Sequence, residues 1–190
     1  RDGWGVVDVA DAANAALHLA QQGKADPTKL LIRGGSAGGY TTLACLAFTD
    51  TFRAGASHFG ISDLALMVRD THKFESRYLD RLVGRYPEDE AIYRARSPIY
   101  HLDKFNEPVI LLQGLEDKVV PPNQAELVLA SLKERGVPVA YVPFEGEQHG
   151  FRRAENIIRA QEAELYFYSR VLGFPLAEEI EPVEIFNLPK

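Results

Sequence analysis

The 190-residue chain contains a single cysteine, Cys45, so no intrachain disulfide can form, and no Cys/His cluster has the spacing of a zinc site. Basic residues are in deficit: 21 Lys and Arg stand against 27 Asp and Glu, a formal charge of −6. Nonspecific nucleic-acid binding needs a basic face that neutralises phosphates, so a nucleic-acid partner is not expected. No apolar run approaches the roughly 18 residues of a bilayer span, so no membrane partner is expected either. Arg1-Asp2-Gly3-Trp4-Gly5 lacks the basic-then-apolar order of a signal peptide. Cysteine poverty is compatible with a cytoplasmic setting. An initiator Met is also missing, and the expectation is that the chain starts inside a longer protein.

What is present is the mix of an ordinary globular chain, 46% hydrophobic and 25% charged, of about one domain in length. Residues 6 to 21 carry apolar side chains near a 3.6-residue period and read as a helix ended by Gly23 and Pro27. Leu30-Leu31-Ile32 reads as a strand buried on both faces of a parallel sheet. A glycine-dense turn over 34–39 leads into a small-residue helix over 40–48, and 54–59 is a weaker strand. Residues 63 to 106 are polar, irregular and partly helical. A third strand is expected over 109–113, and an amphipathic helix over 123–135 with Leu127, Val128, Leu129 and Leu132 inward and Gly136 at its C-cap. A fourth strand follows over 139–144, and a long helix over 154–172. The tail from Glu178 is expected to pack over the surface or fray. Strands alternating with helices predict an α/β parallel sheet. No repeat, low-complexity segment or composition break marks a second domain.

Gly34-Gly35-Ser36-Ala37-Gly38 has the G-x-S-x-G pattern of a nucleophile elbow. Such a strand-to-helix turn is too tight for a Cβ beside the serine, which explains the glycines. The turn would present the Ser36 hydroxyl at a helix N-terminus, where that helix end and the Ala37 N–H favour developing negative charge. A phosphate-binding Walker loop would need a Lys after the glycines, and none follows.

A serine hydroxyl is a poor nucleophile until a base takes its proton, and the base must be held in one tautomer. On this fold the partners follow in the order Ser, acid, His, on loops after strands. Asp117 lies four residues past the strand ending at Gln113, and His149 five past the strand ending at Phe144. Rivals for the acid are Glu116 and Asp63. Among the other histidines, His18 is mid-helix, His72 and His101 fall in the irregular stretch, and His58 precedes every plausible acid. Tyr40 and Cys45 read as packing.

Four segments together resemble the prolyl oligopeptidase family of serine peptidases. They are Gly3-Trp4-Gly5-Val6-Val7-Asp8, Gly34 to Tyr40, Gln113 to Pro121, and Phe144 to Phe151. The resemblance runs from about Gly3 to Phe174. It implies the C-terminal portion of an α/β-hydrolase catalytic domain over 1–175, a tail over 176–190, and hydrolysis of short peptides through an acyl-enzyme. It implies Ser36 as nucleophile, Asp117 as orienting acid, His149 as base, and no metal or organic cofactor. Ala37 would supply an oxyanion-hole N–H, and Ile61, Leu64, Met67, Val119 and Val120 an apolar substrate pocket. Acidic P1 side chains should be disfavoured, because that pocket is apolar and Glu116, Glu145 and Glu147 flank the two loops.

The family's β-propeller and the upstream half of its hydrolase sheet have no counterpart here. If the family strand order holds, the elbow strand lies at an edge with every other strand on one side. Its open edge should then pair with an upstream polypeptide or a second copy. With only one oxyanion donor, the chain alone is expected to have low peptidase activity. Two other readings remain at this point: a carboxylesterase or acetyl esterase on the same fold, or a silent hydrolase-like interaction module.

Overall fold

A computed structural model describes residues 2–70 and 77–188. Strands and helices alternate: α1 Val7–Gln21, β1 Leu31–Gly35, α2 Ala37–Phe48, β2 Ala54–His58, α3 Leu64–Asp70 and α4 Glu90–Arg96. They continue with β3 Val109–Gly114, α5 Asn123–Glu134, β4 Val139–Phe144, α6 Ala154–Leu172 and β5 Ile185–Phe186. The sheet order is β1-β2-β3-β4-β5, with β1 to β4 parallel and β5 antiparallel to β4. The α/β expectation therefore holds, and among the described residues β1 lies at an edge with the other strands on one side.

Alternation along the central strands builds two cores. Val109 and Leu111 of β3 join α1, α2 and α5 in the larger one, and Ile110 and Leu112 join α6 in the smaller. The small side chains of β2 allow α2 to settle onto the sheet. A Cβ on Gly55 would stand 2.8 Å from Leu46 Cδ1, and one on Gly39 would stand 2.6 Å from Gly60 Cα. That close approach places the start of α2, and hence the elbow, at the carboxyl end of the sheet.

Two expectations need correction. Leu31 and Ile32 are half-buried rather than enclosed, because β1 has a strand neighbour on one side only among the described residues. Leu127 is 48% exposed, since the inward stripe of α5 is Val128 and Leu132 with Leu129 beside them. Of the two outcomes expected for the tail, the described residues show packing: Ile180 and Val183 are buried and Ile185–Phe186 pairs with the first residues of β4. Two residues are too few to show a strand period, which is why the tail read as irregular. Gly136 has φ +76° just past α5, as expected of a helix stop.

Tyr40 and Cys45 pack as expected, both without exposed surface, and the Tyr40 hydroxyl donates to the Arg96 carbonyl. Burial pushes the Cys45 thiol up to about 12, with Asp8 adding to the shift. Burial likewise raises Tyr93 and Tyr141 to about 12, and raises Tyr40 and Tyr168 further. In the unfolded chain these groups ionise from 9.0 for the thiol and 10.0 for the phenols. The folded state holds their protons longer, so the stability they lend is intact below pH about 9 and declines as pH rises toward about 12. Urea titrations across that window should show a falling midpoint, and Cys45 should resist thiol reagents until the chain unfolds. A flat alkaline limb would contradict this.

Candidate active site

Ser36 sits between the last residue of β1 and the first of α2 with φ +55° and ψ −117°, a conformation a non-glycine residue rarely adopts. The surroundings hold it there. Its N–H donates to the His58 carbonyl at 3.0 Å, and its carbonyl accepts the Tyr40 N–H at 2.9 Å as α2 begins. A Cβ on Gly34 would come within 2.8 Å of Gly38 Cα and closer still to the Gly38 carbonyl, so the turn admits no side chain there.

The Ser36 Oγ lies 2.8 Å from His149 Nε2, and His149 Nδ1 lies 2.8 Å from Asp117 Oδ2. An ionised carboxylate only accepts, so Nδ1 carries the ring proton and Nε2 is free to accept from the serine hydroxyl. The Asp117 side chain is fully buried, and its Oδ1 accepts the N–H groups of Val119 and Val120 at 2.8 and 2.9 Å. The aspartate is thus held by its own loop while Oδ2 faces the imidazole. The His149 ring packs edge-on against Phe59, with centroids 5.0 Å apart. Ala37 opens α2, where a helical N–H has no acceptor within the helix, and it is exposed.

The rivals are engaged elsewhere. Glu116 is exposed and its N–H donates to the Glu147 carbonyl at 2.9 Å. Asp63 accepts from the Ala65 N–H and the Tyr100 hydroxyl. His58 contacts Glu164 Oε2 at 2.9 Å, and Arg33 reaches the same carboxylate. His18 pairs with Gln22 on the surface, His101 lies 3.2 Å from the Arg94 carbonyl, and His72 is outside the described residues. Among the described residues no group of three or more His, Cys, Asp and Glu could hold a metal ion. No helix among them is long and apolar enough to cross a membrane.

The five expected pocket residues do not share one environment. Ile61, Leu64 and Val120 are buried within the larger core, and Met67 and Val119 are only half-buried against it. Glu147 also departs from expectation. Rather than rimming the loops, its carboxylate turns inward and accepts from the Arg152 and Arg153 N–H groups and the Asn156 amide. Burial opposes its charge, but these donors and the Arg153 cation outweigh that and hold it below the usual carboxylate range. Phe59 and Glu147 escaped sequence reasoning. Phe59 follows β2 with φ +39° and nothing in its type marks it, whereas Glu147 stands two residues before His149.

Residues 1–174 match the prolyl oligopeptidase family. The solved structure of a Mycobacterium tuberculosis puromycin-hydrolyzing peptidase superposes with a TM-score of 0.94 at 52% identity, covering 98% of this chain and 28% of that one. A puromycin hydrolase crystal structure gives 0.93 at 46% identity, covering 97% and 28%. Dipeptidyl aminopeptidase BIII of Pseudoxanthomonas mexicana is 32% identical over 152 residues, which is 77% of this chain and 22% of that protein. The chain thus spans between a fifth and a third of the length of these relatives.

The Gly34 contact yields a direct expectation. Gly34→Ala should destabilise the chain by about 1–3 kcal/mol, because the new methyl overlaps backbone that cannot give way. A urea denaturation midpoint equal to that of the unsubstituted chain would contradict the geometry.

Proposed function

The chain belongs to the prolyl oligopeptidase family, and on that premise we propose that Ser36, His149 and Asp117 hydrolyse amide bonds of short peptides through an acyl-enzyme. The observation that carries the reading is the unbroken hydrogen-bond line from Ser36 Oγ through the imidazole to the buried Asp117 carboxylate. As Oγ attacks the scissile carbonyl carbon, His149 Nε2 takes the serine proton. The imidazolium that forms is stabilised by Asp117, and it then protonates the leaving amine. Water, deprotonated by the same nitrogen, attacks the acyl-serine and releases the acid. The Ala37 N–H is one donor to the oxyanion, and a second must come from another segment of polypeptide.

Because two solved relatives are described as hydrolysing puromycin, we include in the substrate class small amides that join an amino acid to an amine of another kind. Half-buried Met67 and Val119 are the parts of the expected pocket with surface to offer a side chain, and exposed Glu116 and Glu145 still weigh against acidic P1 residues. The free edge of β1 would take a further strand, from an upstream part of the parent protein or from a second copy, since Leu31 and Ile32 are only half-covered. A cytoplasmic setting suits a chain whose one thiol is unpaired and buried.

Asp117→Asn tests the assignment. It keeps the side chain's shape but favours the wrong imidazole tautomer, so kcat on a peptide amide should fall by about 10⁴. The assay uses puromycin and a short peptide amide beside the matching ester. Measured with the second oxyanion donor present, in the longer protein, activity retained in Asp117→Asn would overturn the acid's role, and ester turnover without any amide turnover would replace the peptidase reading with the esterase one.

A further inference from the structure

The site depends on two loops from different strands meeting so that Asp117 and Ser36 each lie 2.8 Å from the His149 ring. We propose that Glu147 is the positioning residue that holds the acid loop and the base loop in one register; the inference rests on the acyl-transfer reading above. Its backbone ties the loops together. The Glu147 carbonyl accepts the Glu116 N–H at 2.9 Å, one residue before Asp117 and two before His149. Gly114 makes room for that approach, since a Cβ there would stand 2.6 Å from the same carbonyl oxygen.

Its side chain closes the base loop on itself. Oε2 accepts the Arg152 N–H at 3.0 Å, and Oε1 accepts the Arg153 N–H at 3.0 Å and the Asn156 amide at 2.9 Å. The residue is 2% exposed although Arg152 and Arg153 are exposed, so the carboxylate is turned in beneath its donors and gives up water for these three bonds. His149 lies inside the closed span from Glu147 to Arg153. The imidazole is therefore anchored on both sides, to the acid loop before it and to the start of α6 after it. Only a carboxylate satisfies all three donors. An amide would turn an NH₂ toward at least one N–H, setting donor against donor and losing that bond.

Glu147→Gln in the whole chain tests this with an activated acetyl ester, a substrate too small to depend on a side-chain pocket. A displaced imidazole lowers kcat by about 10²-fold while KM moves little, because the loss is in alignment and not in binding. The downfield proton resonance of the His149 Nδ1–H should weaken or shift in parallel. Asn156→Ala removes one donor from Oε1 and should show the same pattern to a lesser degree, which covers the case in which the Gln variant does not fold. A folded Glu147→Gln with unchanged kcat and resonance overturns the proposal. So does Asn156→Ala that loses stability yet keeps both. An unsubstituted chain that cannot hydrolyse the ester contradicts the acyl-transfer reading instead, and the resonance, which needs no turnover, then decides the role of Glu147.

Discussion

The backbone of Ser36 is the constraint on which the rest of the site depends. A serine held at φ +55° costs of order 1–3 kcal/mol, and it persists only where neighbouring structure leaves no alternative. Here the His58 carbonyl binds its N–H on one side, and α2 starts at once on the other. α2 can lie close enough because β2 offers Ala, Gly and Ser where bulkier residues would lift the helix. The strained turn, the small-residue strand and the position of the Ser36 hydroxyl are one arrangement. Enlarging any of them would move the nucleophile away from His149.

The partners of Ser36 are held by a single device used twice. Asp117 and Glu147 are both buried carboxylates that accept backbone N–H groups a few residues further along the chain. Each closes its own loop without help from a distant element. The difference between the two is what each carboxylate faces. Asp117 Oδ2 faces the imidazole, with the Gln113 amide also donating to it at 3.4 Å, whereas both oxygens of Glu147 are taken by the Arg152 and Arg153 N–H groups and the Asn156 amide, so one orients a ring and the other holds a loop.

Much of this was legible in the residues because it is carried by short-range rules. The elbow needs glycines at fixed offsets from Ser36, and the acid and base fall just past two strands whose apolar runs are unambiguous. Burial across elements was less legible. Leu31 and Ile32 have the composition of an enclosed strand, yet enclosure depends on what flanks the strand, and among the described residues only β2 pairs with it. Leu127 is as apolar as Leu132, and only the rotation of α5 on the sheet separates the exposed from the buried one. Glu147 looked like one more surface acid, since nothing local reveals that Arg152, Arg153 and Asn156 will turn toward it.

The claim that Ser36 is an activated nucleophile is tested most directly by a fluorophosphonate, which phosphonylates a serine only when a neighbouring base takes its proton. Intact-mass and peptide-mapping measurements on the whole chain should place one adduct on Ser36, and none should form in Ser36→Ala or His149→Ala. A correctly folded chain that never labels, or one that labels at another serine, would contradict the account.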